Sequence, residues 1–213
     1  ILIKDHYIKT KYKKDNVTIE GNGKIKLEKK FDEIKYKISA KEKFFNLTSD
    51  VNLSELKFKN QKFIKYFFPK SNEIIDLKNQ QLEINYSKNN LSVKGSGKIK
   101  LENAFDNIDF FISKINDNFI FDSQINLNKT LLFLDFFNFK TSDKLETKLK
   151  IKGDYNPKNE INFKEINIKE KDNKIILNNL SLSKDYLVIK ADKMDLDYFD
   201  TENKKNQLLL LRK

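Results

Sequence analysis

The chain has 213 residues, a formal net charge of +11 and 34% charged residues, yet its 18 Phe and 8 Tyr supply ample apolar surface for a core. It has no Cys and a single His, which excludes thiol catalysis, cysteine-based metal sites and disulfides and leaves no His pair for a metal. No stretch reaches the roughly 18 consecutive apolar residues of a membrane-spanning helix.

In chain order, the first clear pattern is an alternation. Val17, Ile19, Ile25 and Leu27 share one parity with Gly21 and Gly23, while Thr18, Glu20, Lys24, Lys26 and Glu28 take the other. A period of two puts successive side chains on opposite faces of a β-strand, so one face is apolar and the other wet. The alternation resumes at Ile34, Tyr36, Ile38 and Ala40, and again at Phe45, Leu47, Val51 and Leu53. Between residues 60 and 70 the pattern is weak, and Pro69 there reads as a turn.

The chain then repeats itself. Residues 12–54, shifted by 74 positions, lie without a gap on residues 86–128, and Gly21-Asn22-Gly23-Lys24-Ile25-Lys26-Leu27-Glu28 returns as Gly95-Ser96-Gly97-Lys98-Ile99-Lys100-Leu101-Glu102. The second copy alternates through Leu91, Val93, Ile99 and Leu101, then Ile108, Phe110 and Ile112, then Phe119, Phe121, Ile125 and Leu127. Residues 129–140 occupy the place of the earlier weak stretch. Their Leu131-Leu132-Phe133-Leu134-Asp135-Phe136-Phe137 is apolar all round and reads as a buried strand or a short helix capping a groove.

A fainter third unit, over about 145–200, opens at Leu149-Lys150-Ile151-Lys152-Gly153 and continues in apolar pairs to Met194, Leu196 and Tyr198. Pro157 within it reads as a second turn. Leu208 to Leu211 stop mid-pattern and the chain opens at Ile1, so a segment excised from a longer protein is expected.

A unit that does not close its own core stacks on a copy of itself. The expected fold is therefore all-β: residues 1–213 form one continuous body, an elongated, curled antiparallel meander, open and jelly-roll-like, with few or no helices. Glycines inside strands mark bulges, bends or close approach, so each copy is expected to curl at Gly21/Gly23 and Gly95/Gly97. A phosphate-cradling reading of Gly-x-Gly lacks the third glycine, the following helix and the Lys-Ser or Lys-Thr pair.

The positive charge raises a nucleic-acid reading. Against it, Arg212 is the only arginine among 42 basic residues, and the lysines alternate with apolar residues instead of clustering. Lysine at solvated strand positions is the plainer reading, and no nucleic-acid partner is expected. Lysine-rich rims also suit anionic lipid head groups. His6 reads as a surface histidine on a frayed strand. Asp192, Asp195, Asp197 and Asp200 form the densest carboxylate group, but no glycine turn or distal Glu completes a calcium loop, so they read as solvated. Neither metal nor cofactor is expected, and no catalytic residues are assigned.

What remains is an apolar face larger than a flat sheet hides. A second sheet, closure into a barrel, or a partly rolled trough filled by acyl chains would each cover it. The strand-glycine-strand repeat, with the closing stretches Ile175-Ile176-Leu177-Asn178-Asn179-Leu180-Ser181-Leu182 and Val188-Ile189-Lys190-Ala191-Asp192-Lys193-Met194-Asp195-Leu196-Asp197-Tyr198, resembles the AsmA-like proteins of Gram-negative bacteria, nearest to the YhdP and TamB type. That resemblance implies a periplasmic β-groove, anchored in the inner membrane by a helix outside this chain, along which phospholipids pass between inner and outer membranes. The alternating apolar residues from Val17 to Leu53 and from Leu91 to Leu127 are then the lining, one uninterrupted inner wall. The alternatives are a β-repeat scaffold for outer-membrane biogenesis that carries no lipid, and a lysine-rich nucleic-acid binder.

Overall fold

A computed structural model describes residues 1–14, 16–41, 44–156, 161–183, 185 and 187–211, with Phe63 described in its backbone alone. Pro157 and Arg212 lie outside the described residues. The first unit is four strands, β1 (Leu2–Lys13), β2 (Asn16–Lys26), β3 (Asp32–Lys41) and β4 (Phe44–Lys59), followed by a short helix α1 (Lys62–Phe67). The second unit repeats the plan with β5 (Ile74–Ser87), β6 (Asn90–Lys100), β7 (Asp106–Ile115) and β8 (Asn118–Leu127). It is followed by a small hairpin, β9 (Phe133–Leu134) and β10 (Phe139–Lys140), around a 3-10 turn at Asp135–Phe137. The third comprises β11 (Thr147–Tyr155), β12 (Ile161–Glu170), β13 (Asn173–Leu182), β14 (Val188–Lys190) and β15 (Lys193–Phe199), and β16 (Lys205–Leu211) ends the sheet.

All strands except β9 and β10 belong to one antiparallel sheet of 14 strands, whose order follows the chain from β1 to β16 with β14 paired on β13. The sheet is an open meander with two edges, as the alternation predicted. Register shows why. Gly23, Ile34, Val51, Leu82, Gly95, Phe110, Ser123, Ile151, Ile166, Leu177, Met194 and Leu210 stand side by side across twelve strands. One residue along, the row reads Lys24, Glu33, Asn52, Gln81, Ser96, Asp109, Gln124, Lys150 and Asn167. Because pairing places directly opposite residues on the same side, the first row belongs to an inner, apolar face and the second to a wet one.

The structural repeat is longer than the textual one. Asp5 and Asn79, 74 positions apart, both have φ 50°, and the β1–β2 and β5–β6 registers slip at these places. Each slip is a bulge that lays the next side chain onto a glycine: His6 onto Gly23, and Gln80 onto Gly97. The bulges therefore sit opposite the glycines, which have no positive φ themselves. Gly21 and Gly95 serve another purpose. The ring of Tyr36 lies where a Cβ on Gly21 would be, and the ring of Phe110 does the same at Gly95. Gly21 and Gly95 are thus sockets for a neighbouring strand's aromatic ring, whereas at Gly153 the Asn162 carbonyl comes closest, with the Phe121 ring beside it.

A second repeated device ties strand ends. The Asp32 carboxylate accepts the Ser54 amide at 2.7 Å, and 74 residues later Asp106 accepts the Asn128 amide at 2.7 Å and the Thr130 hydroxyl at 2.5 Å. Glu170 plays this part in the third unit, accepting the Ser142 amide at 2.6 Å and the Thr147 hydroxyl at 3.0 Å. All three carboxylates are buried, where each lone pair needs a donor.

Candidate functional site

Every strand residue expected to line a groove lies on the inner face, but the face is not uniform. It passes from open to sealed along the strand order. In the first unit, Val17, Ile19, Ile25, Ile34, Tyr36, Ile38 and Leu47 are half-buried, Phe45 and Leu27 are exposed, and Val51 and Leu53 are buried. Ile8 and Tyr12 of β1, on the same face, are 53% and 75% exposed. In the second unit, Leu91 and Ile112 are exposed and Val93, Phe110, Phe119 and Phe121 half-buried, while Ile99, Leu101, Ile108, Ile125 and Leu127 belong to a packed core. In the third unit most of the face is closed: Leu149, Phe163, Ile166, Ile168, Ile175, Leu177, Leu180 and Leu182 are buried, Ile151, Ile161 and Met194 are half-buried, and only at the last strand are Leu208 and Leu210 exposed again.

The inner face runs through every unit, as the shared parity implies, but packing covers part of it. The inserts that follow the fourth strand of each unit fill the trough from one rim: Phe67 and Phe68 at the end of α1, and Leu132, Leu134 and Phe139 in and beside the β9–β10 hairpin, join the core formed by β6–β8 and β11–β15. Phe67 meets Phe163 edge-on at 6.3 Å, and the Tyr198 hydroxyl donates to the Phe137 carbonyl at 2.8 Å, pinning the hairpin to the far side of the sheet. Sequence reasoning missed the inner-face residues of β1 and β5, among them Ile8, Tyr12, Leu82 and Ile84. The same 74-residue shift reaches them, since Ile8 falls on Leu82 and Tyr12 on Tyr86.

The wet face carries the charge, largely cross-paired. Lys37 meets Glu20 at 3.1 Å, Lys152 meets Asp122 at 2.8 Å and Lys174 meets Asp195 at 2.7 Å. The hydrogen bond and charge of Lys37 hold the Glu20 carboxyl below its usual range, and the bond to Asp122 raises Lys152. Exposed pairs of this kind contribute little stability but keep the face solvated. Near one rim, Lys4 lies over the Phe31 ring at 4.3 Å and its repeat Lys78 over Phe105 at 4.8 Å. A concavity of about 690 Å³ also lies on this face, between Asp50, Glu83, Lys94, Asp109 and Asp122. It is shallow and of mixed polarity, with no histidine or cysteine among its lining residues.

Chemistry-bearing groups stay dispersed. Among the described residues no three potential metal ligands converge. Asp195 is held by Lys174; Asp200 accepts the Lys204 amide at 2.8 Å, which holds its carboxyl low, and the Glu202 amide at 2.9 Å. Asp192 pairs with Lys190 at 3.1 Å. His6 is not a frayed-end side chain: its Nε2 and the Tyr36 hydroxyl share a hydrogen bond at 3.0 Å. No helix of the described residues is long and apolar enough to cross a membrane. No family model, curated protein or solved structure matches the chain.

Proposed function

We propose that this chain is a non-enzymatic lipid-conducting segment in which acyl chains lie in the open part of the apolar trough and head groups stay in water along its lysine-bearing rims. One observation carries the reading: the first unit presents an inner face that is apolar by register and largely open among the described residues, with Ile8, Tyr12 and Phe45 (49% exposed) among its residues. Contiguous apolar surface of this kind marks a binding face, and each acyl methylene moved onto it recovers about 0.8 kcal/mol. The path proposed runs along the inner faces of β1–β8, where the half-buried residues lie, and ends against the packed third unit. Periplasmic placement and transfer between inner and outer membranes belong to the same proposal and rest on the AsmA-like resemblance. Solvent extraction and mass spectrometry of the protein purified without detergent should recover phospholipid. A protein that comes out empty, and stays empty after incubation with phospholipid vesicles, sinks this reading. The second reading, an assembly scaffold without cargo, is favoured by the long unpaired edge of β1, and it predicts that empty outcome.

A further inference from the structure

The sealed part of the trough is not completely filled. Between α1, β9 and the inner faces of β6–β8, β11 and β12 lies a partly enclosed cavity of about 190 Å³. Phe67, Phe68 and Leu134 close it on one side, Ile125 and Ile166 form part of its floor, and Ser123 is the one polar side chain in its wall. A buried water needs roughly two to four polar partners, which one hydroxyl does not supply, whereas an apolar void of about 150 Å³ takes up a small hydrocarbon. The walls are among the least exposed residues of the chain, with Phe163 at 0%. They are anchored by the sheet beneath and the helix above, so the space does not collapse by a simple side-chain shift.

One side of this cavity faces the open trough. Ser123 and Ile151, both half-buried, share a register row with half-buried Phe110, which stands on the trough's exposed side. A molecule lying along the trough would therefore meet the cavity end-on. We infer that the cavity is a pocket for the terminal segment of one saturated hydrocarbon chain, of the order of six carbons, as an apolar void of about 150 Å³ holds benzene. In its ligand class this rests on the lipid reading above. The trough holds the body of the chain, and the pocket under α1 receives its end.

The test uses the whole chain with isoleucine methyl groups labelled for NMR, and dodecanoate as the probe. Dodecanoate should shift the Ile125 and Ile166 methyl signals and raise the melting temperature. Two variants fill the space, Ser123→Leu from the trough side and Ile166→Phe from the floor. A variant that keeps its cooperative unfolding transition should bind dodecanoate at least about tenfold more weakly. Pick-up of phospholipid from vesicles of phosphatidylethanolamine and phosphatidylglycerol is measured in parallel. If wild-type protein takes up phospholipid while dodecanoate leaves both methyl signals unmoved, the pocket is overturned and the trough reading stands. If the methyl signals respond but no phospholipid is taken up, the pocket stands and the trough reading falls. Undiminished dodecanoate binding by a folded, filled variant also overturns the pocket.

Discussion

At Gly95 the neighbouring strand's Phe110 ring occupies the space a side chain would need, with a Leu82 methyl 2.8 Å from the same point. The glycine keeps an ordinary strand conformation, so its role is steric. Gly95→Ala should therefore cost about 1–3 kcal/mol by overpacking, read from urea unfolding, and the cost should shrink in a Phe110→Ala background. An equal cost in both backgrounds would refute the socket. Glu102 shows a different strain. It is buried, its Oε1 has no hydrogen-bond partner, and burial raises its carboxyl above the usual range, opposed by the Leu131 amide and reinforced by Asp106. A raised folded pKa means that the folded chain holds this proton more tightly than the unfolded one, so its contribution is fully present below the unfolded value and lost as pH rises through the folded one. Glu102→Gln should accordingly gain more stability over wild type at about pH 8 than at about pH 5. A gain independent of pH would show that Glu102 is not ionised at a cost.

Among the elements, the strands were legible because a period of two survives in every unit: the parity that placed Val17, Ile19 and Ile25 together in the sequence places them on one face in the sheet. The inserts were only half legible. α1 is six residues long, with no side-chain cap at Gln61, too short for helical periodicity to register or for intrinsic propensity to sustain it. Packing holds it instead. The glycines marked the level of the bulges but not their strand, because Asp5 and Asn79 on the neighbouring strands take the left-handed conformation. The sealing of Ile99, Ile108 and Ile125 was also invisible, since strand periodicity assigns a face without saying what covers it. The cover is tested by truncation. Phe67→Ala removes the ring that α1 sends into the core and should cost about 3–5 kcal/mol. Tyr12→Ala, on the same sheet face but in the open part, should change stability by less than about 0.5 kcal/mol. Similar losses at both positions, by urea denaturation, would mean that the trough is packed evenly.

Among the described residues the chain forms one sheet whose outermost strands, β1 and β16, are not alike. β1 is exposed along all twelve residues and carries Lys9, Lys11 and Lys13 at alternate positions, the charged decoration with which natural sheets discourage edge pairing. β16 lacks that protection over its second half: Leu208, Leu209, Leu210 and Leu211 run without a charge, and Leu209 and Leu211, on the otherwise wet face, are 64% and 62% exposed. A twofold axis normal to the sheet would pair β16 with a second β16 antiparallel and keep both apolar faces on the same side, joining the two sheets at their packed ends. Seven residues of edge bury far less than the roughly 800 Å² per partner of a stable interface, so the association should be weak and concentration-dependent. Sedimentation velocity should show wild type growing in mass as concentration rises, while Leu209→Lys combined with Leu211→Lys should stay monomeric with its urea midpoint unchanged. Should both proteins sediment alike at every concentration, the leucine edge is not adhesive.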